Sequence, residues 1–329
     1  MTETVRSLDG TEIAYDRIGA GPALILIGGA FNTRRSQGVL ASLLASHFEV
    51  FTYDRRGRGG SGDNQPYAIE REIEDLGALV GEVGNRGSRA AAVALAAQSA
   101  QLTDAAQPTP FSGAVRPSPA FEQGGGPVEL AQPVQLGQPI QAVQSDEVFV
   151  YGHSSGGILA LEAAARGLPI SRLAVYEPPY TSDPSQPTSI LAPDGGDEGG
   201  AVQAALEAGD RSLAATTFLR MTGMPDEAIE GMQQAGFWAG MLAIAHTLAY
   251  DLALSGDGTV PSERLATITA RTLVIDGGAS AAWASRACDA VASVIPRARR
   301  LTLEGEDHGV DPAALSPFLI DFFAVPHPG

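Results

Sequence analysis

The sequence predicts an α/β fold with a mostly parallel central sheet flanked by helices. Residues 23–27 and 49–53 are short, continuous apolar runs, which is the pattern of strands buried on both faces of a sheet. A segment with helical periodicity follows each run, and the same alternation resumes at residue 147. Strands and helices in alternation predict parallel strands that are joined by right-handed crossovers.

Residues 1–83 form the first half of the predicted core. The dipeptide Asp9-Gly10 favours a tight hairpin turn between two extended segments, because its glycine supplies a positive φ. Apolar side chains recur at helical spacing on one face of the segment 68–83. The elements predicted here are two hairpin strands between residues 5 and 19, a strand at 23–27, a helix at 39–46, a strand at 49–53 and a helix at 68–83.

Residues 147–177 and 266–329 form the second half of the predicted core. Their strands are short, mainly apolar runs, and helical patterns lie between most of them. The elements predicted here are a strand at 147–151, a helix at 156–166, strands at 173–177 and 272–275, a helix at 282–294, a strand at 300–303 and a last helix that ends near residue 323.

Two segments interrupt this alternation. Residues 84–146 are rich in Ala, Gln, Pro and Gly and poor in charge, a composition typical of a loop or a disordered segment, so we interpret them as an insertion. Residues 178–265 have a helical pattern and lie between two predicted strands whose carboxyl ends meet at the same edge of the sheet. This second segment is therefore predicted to form a helical cap over that edge of the sheet.

The composition excludes several classes of function. A formal net charge of −17 repels nucleic acids and anionic membrane surfaces, and no apolar run reaches the roughly 18 residues that span a bilayer. All 21 basic residues are arginines, which excludes a Schiff-base lysine and a P-loop lysine. Neither metal-ligand spacing nor a G-x-G-x-x-G turn on the first strand indicates a metal or another cofactor.

A cytoplasmic location is expected from the cysteine content and the N-terminal residues. Cys288 is the single cysteine, so the chain forms no internal disulfide, and the first residues lack the apolar run of a signal peptide. The oligomeric state is left open by the sequence.

A candidate nucleophile lies between a predicted strand and a predicted helix. Gly152-His-Ser-Ser-Gly156 matches G-x-S-x-G, which is a weak signal alone but specific at a strand-to-helix turn, where Ser154 would stand clear of the sheet. Serine needs an imidazole to activate it. His308 lies in the loop between the last strand and the last helix, where the base of such a serine is expected.

With these features the chain resembles the α/β-hydrolase family. The resemblance rests on Gly28-Gly29 after the early strand, Asp54-Arg-Arg-Gly-Arg-Gly-Gly-Ser61, the serine turn and the late His308, and it covers nearly everything except residues 84–146. It implies that two backbone N–H groups stabilise the oxyanion of the reaction. In this chain they would belong to Ser155 and Ala30, or to Phe31 if the register differs by one residue.

The acid of the predicted triad departs from the usual pattern of that family. Ser280 occupies about the position at which relatives carry the acid. Glu177 and Asp276 each end a predicted strand, and some relatives, notably a group of haloalkane dehalogenases, carry the acid at the earlier of these strand ends. We favour Glu177, with Asp276 as the alternative, and Asp307 or no acid as further possibilities.

The predicted cap also contains most of the candidate pocket residues. Flexible thioethers and aromatic rings suit an adaptable apolar pocket, although for any single residue a place in the cap's own core is the more common outcome. The residues predicted to line the pocket are Met221, Phe237, Trp238 and Met241. Arg34 and Arg35, which follow the early strand, could meet an anionic group of a substrate.

The sequence thus predicts a serine hydrolase. It would open a carboxylic ester, thioester or lactone through an acyl-enzyme on Ser154, acting on a small molecule with an apolar acyl or alcohol part. One alternative keeps these residues but cleaves C–C bonds, forms peracids or cyclises its substrate. The other alternative is a ligand-binding protein with a vestigial triad.

Overall fold

The computed structural model describes residues 2–84, 86, 147–180 and 198–324. Within them, eight strands form one sheet in the order β1-β2-β4-β3-β5-β6-β7-β8. The pairs β1–β2 and β2–β4 are antiparallel and the other five pairs are parallel, so the predicted mostly parallel sheet is confirmed. The strands are β1 (Glu3–Arg6), β2 (Glu12–Gly19), β3 (Ala23–Ile27), β4 (Glu49–Tyr53), β5 (Val148–His153), β6 (Arg172–Tyr176), β7 (Arg271–Gly277) and β8 (Ala298–Leu303).

Helices flank the sheet, and five further described helices lie between residues 198 and 255. The flanking helices are α1 (Gly38–Leu44), α2 (69–84), α3 (Ser155–Ala165), α9 (Ser262–Leu265), α10 (Ala282–Val294) and α11 (Pro312–Ala324). The five between residues 198 and 255, called the cap helices below, are α4 (Glu198–Glu207), α5 (Arg211–Met221), α6 (Asp226–Gln234), α7 (Trp238–Ile244) and α8 (Leu248–Ser255).

The sheet is buried on both faces, as the continuous apolar runs predict. Successive side chains of a strand point to opposite faces, so Ile25 and Ile27 join the apolar core that contains residues of α2, α3 and α10. Leu24 and Leu26 join a second core with residues of α1 and α11. Two apolar layers therefore enclose the sheet.

The chain order of the strands creates a crevice at one point of the sheet. β3 pairs with β4 on one side and with β5 on the other, so the connections after β3 and after β5 leave in opposite directions. In open parallel sheets, ligands bind in the crevice beyond the carboxyl ends of such strands. Here the crevice lies between residues 28–33, which follow β3, and the turn after β5.

The predicted insertion 84–146 lies outside the described residues except for positions 84 and 86. The predicted cap 178–265 is described from residue 198 onward and for residues 178–180, and helices form most of residues 198–265. Among the described helices, no single one is long and apolar enough to cross a bilayer. Asp226–Gln234 and Trp238–Ser255 reach that length and composition only as a pair bent by 99°.

Candidate active site

Ser154 lies on the strained turn that the sequence predicts. It lies between β5 and α3 with φ 54° and ψ −127°, and its N–H donates to the carbonyl of Tyr176 at 2.9 Å. A Cβ at Gly152 would lie 2.5 Å from the carbonyl oxygen of Gly156, and a Cβ at Gly156 would lie 2.6 Å from that of Ile27. The turn can therefore form only with glycine at both positions, which places the serine beyond the edge of the sheet.

Backbone strain is concentrated around this serine. Among the described residues, the non-glycine positions with positive φ are Phe31, Ser154 and Glu177, at 59°, 54° and 44°. All three line one cavity of about 660 Å³. Each such conformation costs on the order of 1–3 kcal/mol, and strain of this kind typically occurs at functional sites.

The structure brings Glu177 to His308. The loop between β8 and α11 places Nδ1 of His308 2.7 Å from Oε2 of Glu177, whose side chain is fully buried. Oε1 of Glu177 accepts hydrogen bonds from Ser280 Oγ at 2.5 Å and from the N–H of Gly277 at 2.8 Å. Burial favours a higher pKa of Glu177, but the hydrogen bonds from His308, Ser280 and Gly277 outweigh burial and lower the pKa.

The other candidate acids are engaged elsewhere. Asp276 accepts from Arg300 Nη1 at 3.0 Å and from Thr302 Oγ1 at 2.8 Å, and it does not line the cavity. The carboxylate of Asp307 accepts from the N–H of Gly309 at 2.7 Å. Ser280, at the family's usual acid position, is a donor to Glu177, a role that was not predicted from the sequence.

Ser154 and His308 line the same cavity. In the part of the chain that the structure describes, the Ser154 hydroxyl makes no hydrogen bond. A movement of its side chain or of the 304–309 loop is therefore needed before the serine can donate to Nε2 of His308. Catalytic hydrogen bonds are often long without substrate and shorten in the substrate complex.

The predicted oxyanion donors lie beside the nucleophile. Ala30, Phe31 and Ser155 line the cavity, and a Cβ at Gly29 would lie 2.8 Å from the Cβ of Ser154, so this loop packs directly against the serine. Among the described residues, no protein acceptor takes the backbone N–H of Ala30 or of Ser155. Ser155 is also the first residue of α3, where the helix dipole favours negative charge.

A buried ion network, which was not predicted from the sequence, lies behind the serine turn. Asp251 of α8 accepts from Arg55 at 2.8 Å, from Ser155 Oγ at 2.7 Å, and from Arg58 with both carboxylate oxygens at 2.8 Å. Glu72 accepts from Arg55 at 2.6 and 2.8 Å, so two cations meet two anions. Burial favours a higher pKa of Asp251, but the charges of Arg58 and Arg55 outweigh it and lower the pKa.

The cavity wall differs from the prediction. The large apolar residues that line it are Phe31, Phe218, Leu219, Met224, Leu252 and Trp283. None of the predicted pocket residues Met221, Phe237, Trp238 and Met241 is among the lining residues. Met221 is fully buried in the core of the cap helices, Trp238 packs in a second apolar cluster with Met241 beside it, and Phe237 is 56% exposed.

The described residues that line the cavity include no arginine. Arg34 is paired with Asp16 at 2.8 Å and with Asp54, and Arg35 lies exposed outside the cavity. The structure therefore does not bring either arginine to the site. Within the described ranges, no group of three His, Cys, Asp or Glu side chains has an arrangement that could hold a metal ion.

Comparison with known proteins gives one family. A model described as "Alpha/beta hydrolase family" matches residues 24–318. The crystal structure of an alpha/beta hydrolase from Sphaerobacter thermophilus DSM 20745 is 41% identical, with a TM-score of 0.73 over 98% of this chain and 100% of that chain.

More distant solved structures share the fold. A hydrolase from Pseudomonas aeruginosa PA01 is 22% identical, with a TM-score of 0.64 over 98% of each chain. An esterase from Exiguobacterium antarcticum is 16% identical, with a TM-score of 0.62 over 99% of this chain and 100% of that chain. At these identities the likeness extends to the architecture alone.

Proposed function

The chain belongs to the alpha/beta hydrolase family, and from this premise we propose that it is a serine hydrolase acting on neutral carboxylic esters, thioesters or lactones. The observation that carries the proposal is the 2.7 Å contact between His308 Nδ1 and the buried carboxylate of Glu177, in the cavity that Ser154 also lines. An imidazole held by a carboxylate next to a serine on a strained turn is an arrangement suited to acyl transfer.

Each residue has a defined role in the proposed mechanism. Ser154 attacks the carbonyl carbon while Nε2 of His308 takes its proton, and Glu177 stabilises the imidazolium through Nδ1–H. The N–H groups of Ser155 and Ala30, with Phe31 as the alternative, hold the tetrahedral oxyanion. Proton transfer by such a base contributes roughly 10²–10⁴-fold, and one oxyanion donor about 10²–10³-fold.

The second half of the proposed cycle regenerates the serine. His308 gives its proton to the oxygen or sulfur of the leaving group, and the acyl group stays on Ser154. A water molecule then attacks the acyl-enzyme as His308 takes a proton from it, and the carboxylic acid leaves as the proton returns to Ser154. This half of the cycle uses the same oxyanion donors.

The cavity supports a neutral, largely apolar substrate. Its described wall combines Phe218, Leu219, Met224 and Trp283 with no arginine, and the whole chain carries a net charge of −17. A carboxylate on the substrate would lose its hydration without gaining a cationic partner, which is costly. We therefore propose that both the acyl and the leaving part are uncharged.

A fluorophosphonate probe and a panel of p-nitrophenyl esters test the proposal. We expect the probe to label the wild type and to fail with Ser154→Ala, while Ser42→Ala, which removes an exposed hydroxyl on α1, is labelled normally. A p-nitrophenyl butyrate should be hydrolysed well, and the anionic p-nitrophenyl hemisuccinate at least about tenfold less efficiently.

The outcomes separate the candidate functions. An unlabelled wild type without esterase or lactonase activity would favour the ligand-binding alternative, and equal rates on the two esters would overturn the charge preference alone. Cleavage of C–C bonds, perhydrolysis and cyclisation would use the same residues, and no described contact favours them. The cytoplasmic location stays a prediction from the sequence, as do the domain limits.

A further inference from the structure

The loop that carries His308 is held through three successive carbonyl groups. The carbonyl of Glu306 accepts from the N–H of Ala279 at 2.8 Å, and that of Asp307 accepts from the hydroxyl of Tyr176 at 2.6 Å. The carbonyl of His308 itself lies 2.8 Å from Nε2 of His153. The donors come from the ends of β7, β6 and β5, so the carboxyl edge of the sheet fixes this loop.

His153 differs from the other two donors because it directly precedes Ser154. Its ring stacks on Tyr176 with centroids 5.7 Å apart and lies 4.9 Å from the ring of His308. The side chain of the residue before the nucleophile is therefore hydrogen-bonded to the backbone of the base. A carbonyl oxygen only accepts, so Nε2 of His153 must carry a proton for this hydrogen bond to form.

The surroundings of His153 keep the ring neutral. Burial, together with the nearby His308, lowers the pKa of His153 to about 4. At neutral pH the ring therefore carries one proton, and the bond to the carbonyl of His308 selects the Nε2–H tautomer. A neutral ring also avoids placing a second positive charge next to His308 when that imidazole takes a proton.

We propose that His153 is a positioning residue that sets the separation between the Ser154 hydroxyl and the His308 imidazole. The inference rests on the proposed serine hydrolase function. A displacement of about 1 Å between reacting groups can cost on the order of 10²-fold in rate. Loss of the His153 link removes one of the three hydrogen bonds that hold the carbonyl groups of this loop. The contribution therefore belongs in kcat rather than in substrate binding.

Three variants test this role. His153→Phe keeps an aromatic ring but removes the donor, His153→Gln restores an N–H donor, and His47→Phe repeats the first change at an exposed histidine. We expect His153→Phe to lower kcat about 10- to 100-fold with KM changed less than about twofold, and the rate of fluorophosphonate labelling to fall in parallel. The kcat of His153→Gln should be at least about tenfold above that of His153→Phe, and the kcat of His47→Phe should match that of the wild type.

Equal losses in His153→Phe and His153→Gln, or a rise in KM without a fall in kcat, would overturn the proposal. A second measurement on the wild type does not depend on the folding of any variant. Nitrogen-15-labelled histidine should show His153 as the Nε2–H tautomer at neutral pH, because the Nδ1–H tautomer cannot donate to the His308 carbonyl. Finding the Nδ1–H tautomer would exclude the link even if the wild type proved to be an active serine hydrolase.

Discussion

Glu177 and Asp276 are two buried carboxylates at the ends of neighbouring strands, with opposite surroundings. Tyr176 and Ile275 are partners in the register of β6 and β7, so the two acids follow at the same level of the sheet. Glu177 contacts an imidazole, a hydroxyl and a backbone N–H, whereas Asp276 contacts the permanent cation of Arg300 and a hydroxyl. The difference shows that burial at a strand end does not by itself give an acid a catalytic role.

The partners determine what each charge can do. Arg300 neutralises Asp276 at all times, so that pair fixes structure at the edge between β7 and β8. None of the described hydrogen-bond partners of Glu177 is a permanent cation. In the proposed mechanism the negative charge of Glu177 is therefore available when the imidazolium forms, which is the function of the acid in a serine triad.

The largest expected effect separates the two acids directly. Glu177→Gln should lower kcat on a p-nitrophenyl ester several hundredfold or more, because it removes the charge that stabilises the imidazolium. Replacing the acid of a serine triad by its amide can lower kcat by about 10⁴-fold. Asp276→Asn should lower kcat less than about tenfold, since it leaves the contacts of His308 in place. Near-normal turnover of a folded Glu177→Gln protein, checked by circular dichroism, would remove Glu177 from the triad.

A smaller effect is expected from moving the acid. Ser280 Oγ lies 2.5 Å from Oε1 of Glu177, so an aspartate at 280 would place a carboxylate near the position that Glu177 now fills. The double variant Glu177→Gln with Ser280→Asp should have a kcat at least about tenfold above that of Glu177→Gln alone. Ser280→Asn in the same background is the uncharged control, and equal recovery by both would show that charge is not responsible.

Removing the cationic partner of Asp276 should change the stability of the protein rather than its turnover. Arg300→Met removes the cation that pairs with Asp276, a residue that is only 1% exposed. The loss of this partner should lower the free energy of unfolding by about 2 kcal/mol. Urea denaturation measures this loss. Arg297→Met, at an exposed position near the start of β8, is the matched control and should change stability by less than about 0.5 kcal/mol. Activity per folded molecule should stay close to the wild type, and a large fall in kcat would contradict the separation of the two acids.

The smallest expected effect is a difference in acid sensitivity. The contacts of both acids lower their pKa below ordinary values of 4.5 for Glu177 and 3.8 for Asp276. As pH falls, the unfolded chain is therefore protonated at these groups before the folded protein is. The contribution of each carboxylate to the free energy of unfolding is complete above its ordinary pKa and is lost as pH falls through the lowered pKa. Urea titrations between about pH 6 and pH 3 should show a shallower fall in Glu177→Gln and in Asp276→Asn than in the wild type. An unchanged slope would indicate that these contacts do not lower the pKa.

The sequence predicted most of the fold because its signals are local. Apolar runs and helical spacing depend on burial, so residues 23–27 and 49–53 were predicted as strands with the bounds that β3 and β4 have in the structure. The choice between Glu177 and Asp276 was not local. Asp276 stays in a regular strand and points to the face that α10 covers, whereas Glu177, with φ 44°, leaves its strand toward the cavity. A backbone angle at one residue cannot be obtained from composition or spacing.

The cap helices show the limit of periodicity in another way. Helical spacing groups Trp238 and Met241 on one face, but it does not say whether that face turns to the site or to another helix. In the structure this face packs within the cap's own core, and residues of α5, α6 and α8 line the cavity instead. Asp251 did carry a signal, because it is a lone acid on the buried face of α8. Its partner Arg55 is 196 positions away, so the contact itself could not be inferred.

The Asp251 network has a consequence for engineering new specificity. A cap that rested on the core through apolar contacts alone could be exchanged between relatives as a separate part. Here the acid that balances Arg55 and Arg58 belongs to the cap, while both arginines belong to the core. A chimera with a foreign helix in place of α8 would leave Arg55 with Glu72 as its remaining acid and Arg58 with no carboxylate partner among the described residues. One uncompensated positive charge would then be buried beside the serine, so grafting must transfer the carboxylate together with the helix.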